Sequence, residues 1–208
     1  MIKYENMENN IIAKLKQSGL VGRSGSGFPV WQKWQAVKDA SASQKYIICN
    51  ASEGEPMIFK DGYILEKYPD EVINGLKIAL KTIDNSRAYI YLNKDYCFRF
   101  SQTLKNLIGN LPITLFEKPF GYIAGEETSI LNAIEGKRPE PRVKPPYPTQ
   151  AGLWGKPTLI NNVETYALLP WLLRHGAAAF RQFGTAASAG TKVFALTGKV
   201  QRGGLVEV

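Results

Sequence analysis

Several residue types are scarce in this chain of 208 residues. It contains one histidine, His175, and two cysteines, Cys49 and Cys97, which stand 48 positions apart. A single histidine excludes mechanisms that need two, and the cysteines lack the close spacing of metal ligands, so we expect no metal site. No apolar run approaches the roughly 18 residues of a membrane span, and the first ten residues lack a signal-peptide core. We therefore expect a cytoplasmic chain without direct membrane insertion.

Acidic residues are outnumbered: the chain has 18 Asp and Glu against 26 Lys and Arg, a formal net charge of +8. Residues 136–156 concentrate this excess, with one carboxylate, Glu140, and five cations: Lys137, Arg138, Arg142, Lys144 and Lys156. Six of the twelve prolines lie between Pro139 and Pro157, which predicts an ordered irregular loop. A basic loop suits an anionic ligand or an acidic partner. Because no nucleic-acid-binding module accompanies it, we expect no nucleic acid partner.

Hydrophobic periodicity predicts alternating strands and helices. Short apolar runs predict strands at residues 46–51, 88–93 and 112–116. Helical spacing predicts helices at residues 5–18, 72–83, 100–108 and 125–136, one from Asn161 towards His175, and a packed helix with a flexible hinge in 177–190. This alternation is typical of an α/β fold with a largely parallel sheet, which we place in residues 1–190. A strand at 192–198 without a successor predicts the start of a second domain in 191–208, with an exposed apolar edge.

A glycine-rich loop follows the first predicted helix. Gly22, Gly25 and Gly27 fall within six residues, with Arg23 between them. Their spacing matches neither the dinucleotide-binding fingerprint nor the phosphate-binding P-loop. Glycines still let backbone N–H groups approach a ligand closely, so the loop is either a ligand-binding loop or a flexible connector.

Three further segments place polar side chains where ligands bind in α/β proteins. Asn50–Pro56 follows the first strand and contains Glu53 and Glu55, and the carboxyl ends of parallel strands are the usual ligand site of such sheets. Residues 121–128 and 154–165 lead into predicted helices, whose N-termini favour anions. Each segment also has a plainer interpretation, as a solvated turn or an ordinary helix cap.

Taken in order, these segments resemble one family. The motifs are Gly-Arg-x-Gly-x-Gly-Phe-Pro from Gly22, Asn-Ala-x-Glu-x-Glu-Pro from Asn50, Gly-Tyr-Ile-x-Gly-Glu-Glu-Thr from Gly121, Pro-Arg-x-Lys-Pro-Pro-Tyr-Pro from Pro141, and Gly-Lys-Pro-Thr-x-Ile-Asn-Asn-Val-Glu-Thr from Gly155. Over about residues 19–208 the chain resembles the NADH-binding, FMN-containing flavoprotein subunit 1 of respiratory complex I and the equivalent subunits of NAD-linked hydrogenases and formate dehydrogenases. The resemblance implies a Rossmann-like domain that accepts a hydride from NADH onto FMN. It further implies one-electron transfer to iron–sulfur subunits of a complex that is peripheral on the inner face of the cell membrane.

The resemblance also implies roles for individual residues. For FMN it implies contacts with Gly22, Arg23, Gly25, Lys33, Asn50, Glu53, Tyr122, Gly125, Glu126, Ile160, Asn161, Asn162 and Thr165. For NADH it implies contacts with Phe28, Glu55, Glu127, Lys144 and Tyr147. Glu55 and Glu127 are the candidate catalytic residues, although hydride transfer itself needs no protein acid or base. Phe28 and Tyr147 would stack on the adenine.

The chain departs from the family at several points. Ser24 stands where the family usually has Gly, Ser52 where it has Asp, and Ala36 where it has an aromatic residue. The family continues through a ubiquitin-like β-grasp domain, of which residues 191–208 would be a truncated start, into a cysteine-rich domain with a four-iron cluster. Because those cysteines are missing, we expect no iron–sulfur cluster in this chain. Two alternatives stay open: a degenerate, non-catalytic scaffold or assembly module of the same fold, and an electron-transfer domain like the C-type subunit of the Rnf complex.

Overall fold

The computed structural model describes residues 11–119 and 121–208. The helices are α1 (Ile11–Ser18), α2 (Val30–Asp39), α3 (Lys60–Lys67), α4 (Pro69–Thr82), α5 (Lys94–Ile108), α6 (Glu127–Ile134), α7 (Pro148–Ala151) and α8 (Val163–Phe180). The strands are β1 (Lys45–Ala51), β2 (Ser86–Leu92), β3 (Ile113–Glu117), β4 (Thr158–Asn162), β5 (Val193–Leu196) and β6 (Gly204–Glu207). Residues 5–10 of the first predicted helix lie outside the described residues.

The first four strands form one parallel sheet in the order β3-β2-β1-β4. This confirms the predicted α/β fold with a parallel sheet flanked by helices. After β3 the chain returns to the far side of β1, so the strand order reverses between β1 and β4. In open α/β sheets the crevice at such a reversal, at the carboxyl ends of the strands, is the usual ligand site. Here β1 ends near Asn50 and β4 ends at Asn162, and the two residues are register partners.

Alternation along the strands gives the sheet two different faces. On one face Ile47, Cys49 and Ala51 pack into a large core shared with α1, α2, α4, α5 and α8. On the other face Ile48 and Tyr91 pack into a smaller cluster beneath α6. Helices α4 and α8 pack closely against each other in the large core. A Cβ on Gly75 would lie 2.1 Å from the Tyr166 carbonyl oxygen, so this contact requires glycine.

Five elements have no counterpart among the sequence predictions: α2, α3, β4, the short helix α7 within the predicted irregular loop, and β6. Helix α2 does carry Val30, Trp34 and Val37 at helical spacing, but it begins directly after the glycine-rich loop, which obscures its start. Strand β4 has five residues, all buried, and passes at once into α8, so its apolar positions are easily assigned to the helix. The helices predicted on either side of residue 176 are continuous in α8 except for Gly176, whose φ of 87° is not helical.

The last two strands form an antiparallel hairpin, with Val193 opposite Glu207. The strand predicted at 192–198 therefore has a partner within the chain, and the expectation that it lacks a successor was wrong because residues 204–207 turn back onto it. Phe194 and Leu196 remain more than 40% exposed on the hairpin. That this hairpin begins a β-grasp domain stays a prediction. Within the described parts of the chain, no helix combines the length and apolar character needed to cross a membrane.

Candidate cofactor-binding site

A cavity of about 340 Å³ lies at the carboxyl ends of β1 and β4, where the strand order reverses. This volume lies within the range of small-ligand sites. Seven residues that the sequence assigned to FMN or NADH line it: Asn50, Glu53, Glu55, Tyr122, Gly125, Glu126 and Asn162. The other lining residues are Ser24, Ser52, Gly54, Lys60, Asp61 and Ile123. Four segments that are distant in the sequence thus meet at one crevice.

The floor of the cavity is a hydrogen-bonded strand end. Asn50 Nδ2 donates to the Gly125 carbonyl at 3.1 Å, and its Oδ1 accepts from the Ser52 hydroxyl at 2.7 Å. A Cβ on Gly125 would lie 2.8 Å from Ser52 Oγ, so only glycine fits there without displacing Ser52. Asn162 Nδ2 donates to the Asn50 carbonyl at 3.2 Å and joins the ends of the two strands.

Glu53 uses one carboxylate oxygen for the fold and leaves the other unused. Its Oε2 accepts from the Tyr96 hydroxyl at 2.5 Å and from the backbone N–H groups of Asp61 and Gly62 at 3.1 and 3.4 Å. Its Oε1 is buried and has no hydrogen-bond partner among the described residues. Burial, followed by the nearby Asp61 carboxylate, raises the pKa of Glu53 despite these hydrogen bonds. A buried polar atom without a partner marks a place where a bound ligand group would be stabilised.

A buried charge cluster lies behind Asn162. Lys60 Nζ is 2.5 Å from Asp61 Oδ1 and 3.2 Å from Glu164 Oε2, and it donates to Asn162 Oδ1 at 3.2 Å. Asn162 Oδ1 also accepts from the Glu164 N–H at 3.1 Å and caps the N-terminus of α8. Burial lowers the pKa of Lys60, but the carboxylates of Asp61 and Glu164 outweigh it, so the net pKa is raised. Burial likewise raises the pKa of Glu164.

The glycine-rich loop contacts the first turn of α8. Arg23 N–H donates to Thr165 Oγ1 at 3.1 Å, and its guanidinium donates to the Ala189 carbonyl at 2.8 Å. Arg23 is 2% exposed, so both of these donors serve the protein interior, whereas the sequence had assigned Arg23 to FMN. Gly25 and Gly27 have φ values of 112° and 63°, which only glycine adopts readily. Gly22 holds the base of the loop through its N–H bond to the Phe28 carbonyl at 2.9 Å.

A second charge cluster joins α2, α6 and the proline-rich loop. Lys33 Nζ is 3.1 Å from Glu127 Oε2, and Lys144 Nζ is 2.9 Å from Glu127 Oε1 and 3.2 Å from Glu126 Oε1. Glu126 also caps α6 by accepting from the N–H groups of Thr128 and Ser129. Burial raises the pKa of Glu127, but the ammonium groups of Lys33 and Lys144 outweigh it, and the net pKa is lowered. Of these four charged residues, Glu126 alone also lines the cavity.

The remaining candidates lie around these clusters. Phe28 is exposed beside Lys33, whose Nζ is 5.9 Å from the ring centroid. Tyr147 is exposed, and its N–H is bound by the Gln150 side chain at the start of α7. The Tyr122 hydroxyl donates to Glu55 Oε1 at 3.4 Å across the cavity mouth. Two candidates are buried in β4: Ile160, whose carbonyl is 3.5 Å from Lys33 Nζ, and Asn161, whose side-chain amide group lies 3.2 Å from Trp34 Nε1.

Sequence reasoning missed three polar residues of the site: Lys60, Asp61 and Lys118. Lys118 Nζ donates to the Ser52 carbonyl at 3.0 Å and would lie 2.9 Å from a Cβ on Gly54. A Lys-Asp pair at the start of a helix is the only local signal for the first two residues, and it is a common one. Across the described ranges, this site included, no group of three or more His, Cys, Asp or Glu residues could hold a metal ion.

Comparison with known proteins identifies the family. The family described as the Nuo51 FMN-binding domain matches residues 15–171, which is most of the chain. The chain belongs to this family, and the resemblance to flavoprotein subunits of complex I and NAD-linked hydrogenases is confirmed.

Individual relatives come from both kinds of complex. The chain is 39% identical to the F 2 subunit of NADH-quinone oxidoreductase from Rhizobium meliloti (strain 1021), over 98% of this chain and 52% of that protein. It is 40% identical to the HndC subunit of the NADP-reducing hydrogenase from Solidesulfovibrio fructosivorans, over 95% of this chain and 44% of that protein. A solved structure of an NAD⁺-reducing [NiFe]-hydrogenase in the H2-reduced state superposes with a TM-score of 0.91 at 33% identity, covering 97% of this chain and 37% of the other. The chain thus spans about half the length of the curated relatives it matches.

Proposed function

We propose that this chain is an NADH-oxidising flavoprotein module that binds FMN and NADH and delivers electrons to iron–sulfur partner subunits of a larger complex. The observation that carries the proposal is the cavity at the ends of β1 and β4, because most of its lining comes from the family's own motifs. Relatives named as oxidoreductase and hydrogenase subunits support the redox role. The quinone-linked acceptor and a position on the inner face of the cell membrane belong to the same proposal.

The residues present fit a flavin nucleotide. The cavity offers amide and hydroxyl groups from Asn50, Ser52 and Asn162, and one buried, unpartnered oxygen on Glu53. Helix α8 is eighteen residues long, and it begins directly after Asn162 of the cavity. The N-terminus of such a helix favours an anionic group such as a phosphate. When bound, FMN supplies the conversion of a two-electron hydride into single electrons. The protein binds and orients it.

NADH is assigned to the side of the cavity where Glu126 meets the second charge cluster. Lys144 is 30% exposed and lies on the proline-rich loop, where its ammonium can face the dinucleotide's phosphates. Phe28 and Tyr147 present exposed rings that can stack on adenine. Glu126 and Glu127 together balance the charges of Lys33 and Lys144 until an anionic ligand competes for these lysines. Glu55 and Glu127 would act by holding the nicotinamide half in place, because hydride transfer requires no proton from the protein.

A reconstitution experiment tests the proposal. The purified chain is mixed with FMN, separated from free flavin, and examined by absorbance and fluorescence. We expect a yellow protein with about one FMN per chain, whose flavin absorbance is bleached by NADH under anaerobic conditions. A chain that stays colourless in excess FMN would refute the proposal and favour the non-catalytic scaffold. If the chain is yellow but NADH does not bleach its flavin, the proposed function would be limited to flavin binding.

A further inference from the structure

Lys60 stands out among the residues of the cavity. It begins α3, and in the described part of the chain it is the one cation in the cavity lining, alongside four carboxylates: Glu53, Glu55, Asp61 and Glu126. An anionic ligand entering such a site meets repulsion from the carboxylates unless a positive charge is held close to it. Among the described lining residues, Lys60 is therefore the one whose charge favours an anion.

The ammonium of Lys60 is held from three sides. Nζ donates hydrogen bonds to Asp61 Oδ1 at 2.5 Å and to Asn162 Oδ1 at 3.2 Å, and it forms an ion pair with Glu164 Oε2 at 3.2 Å that lacks a hydrogen bond. The side chain is 13% exposed. Two of the three ammonium donors are used among the described residues, so Lys60 can act on a ligand through its charge and through its third donor.

Glu164 is held by a hydrogen bond at one carboxylate oxygen and by an ion pair at the other. Its Oε2 pairs with Lys60, and its Oε1 accepts from the Val193 N–H at 2.9 Å, at the start of β5. Its backbone N–H is bound by the Asn162 side chain, so the carboxylate is positioned by α8 and by the hairpin. A group anchored in this way holds Lys60 in place before any ligand arrives, and less conformational entropy is lost on binding.

Resting on the proposed function, we propose that Lys60 is a binding residue for the phosphate of FMN, and that Asp61 and Glu164 are the positioning residues that hold its ammonium in the cavity wall. Asn162, which caps α8, lies 3.2 Å from Lys60 Nζ, so the lysine charge and the N-terminal field of α8 act at the same place. The phosphate carries most of FMN's charge, so the role of Lys60 is specific to FMN over riboflavin.

Titration of FMN and riboflavin into matched variants tests the proposal. Lys60→Met should weaken FMN binding by about tenfold or more, a free-energy change of about 1.4 kcal/mol, and riboflavin binding by less than about threefold. Lys60→Arg keeps the charge and should restore part of the FMN affinity. Lys94→Met removes an exposed lysine at the start of α5 and should leave both ligands unchanged. An equal loss of both ligands, or no loss, in Lys60→Met would overturn the proposal.

The direction in which Glu164→Gln changes the FMN affinity tests whether Glu164 positions Lys60. Glutamine keeps an oxygen for the Val193 N–H but loses the charge that holds Lys60. If Glu164 acted only as a distant negative charge, its removal would strengthen FMN binding, because a repulsion would be lost. We expect weaker FMN binding instead, by about threefold to tenfold, with riboflavin unaffected. Stronger FMN binding in this variant would overturn the positioning role.

A double variant and measurements of folding distinguish a loss of FMN binding from a failure to fold. The double variant Lys60→Met/Glu164→Gln leaves only Asp61 without its counter-charge, so it should be more stable than Lys60→Met alone. Circular dichroism and thermal unfolding check each variant, and the double variant must show the same FMN-specific loss. A wild-type chain that binds no FMN would refute the proposed function. A wild-type chain that binds FMN beside a folded, equally tight Lys60 variant would refute only the present inference.

Discussion

Two clusters of lysines and carboxylates lie at the candidate site, and they differ in burial. In the cluster of Lys60, Asp61 and Glu164, each side chain is at most 13% exposed, whereas in the cluster of Lys33, Lys144, Glu126 and Glu127, each is 24–30% exposed. Removing one partner from a buried cluster leaves an uncompensated charge, whereas water screens the loss in an exposed one. The buried cluster therefore belongs to the architecture of the cavity, and the exposed one is free to rearrange around an anionic ligand.

The largest expected effect is on the buried cluster. Lys60→Met should lower the free energy of unfolding by about 3–5 kcal/mol, because Asp61 and Glu164 lose their counter-charge inside the protein. Urea denaturation followed by circular dichroism measures the change. The double variant with Glu164→Gln should recover part of it, because only Asp61 then lacks its counter-charge. If Lys60→Met proves as stable as wild type, the two clusters do not differ in the way that their burial indicates.

The second prediction concerns Asn162, which joins the buried cluster to the strand ends. Asn162→Ala removes hydrogen bonds to the Asn50 carbonyl and to Asp61 Oδ2, together with the cap of α8. FMN binding should weaken by about 1–3 kcal/mol, the usual effect of leaving a buried polar partner unsatisfied. Fluorescence titration of FMN measures it, with the exposed Asn74→Ala as the control. An unchanged FMN affinity would show that the phosphate lies elsewhere.

A smaller effect is expected in the exposed cluster. Lys144→Ala should change the free energy of unfolding by less than about 1 kcal/mol, since the ion pairs of Lys144 are partly solvated. It should nevertheless raise the dissociation constant for NADH severalfold and leave the FMN content unchanged. The effect on NADH should shrink at high salt because exposed charges are screened. Loss of both ligands would mean that the proline-rich loop is needed for the fold.

The two clusters should also respond to pH in opposite directions. The pKa of Glu164 is raised by burial, so the folded state holds its proton more tightly and stability falls as pH rises above the ordinary carboxyl value. The pKa of Glu127 is lowered by Lys33 and Lys144 against the effect of burial, so stability falls as pH drops below that value. Glu164→Gln should flatten the first slope and Glu127→Gln the second, as measured by unfolding across about pH 3–8, which spans the ordinary glutamate pKa of about 4.3. Slopes that both variants leave unchanged would assign the pH dependence to other groups.

Much of the fold could be predicted from local patterns. Short apolar runs predict the strands at 45–51, 86–92 and 113–117, and a regular helical spacing of apolar residues predicts helix α4. Strand β4 was missed because its five buried residues pass directly into α8, and nothing local separates them. The hairpin partner of β5 was missed because its pairing depends on a turn between two short, half-exposed strands.

The family and the segments of the site could be read from the amino-acid order alone, because motifs that bind a cofactor need particular residue types at particular spacings, and these survive as readable patterns. Which charges meet depends instead on the folded chain. Lys60 and Glu164 are more than a hundred positions apart and come together because β4 inserts beside β1, which brings the start of α8 next to α3. Arg23, which its motif assigns to a ligand, is turned into the interior by the Ala189 carbonyl. Ion pairs between distant segments leave no periodic signal, because they depend on the path of the chain and on the exclusion of water.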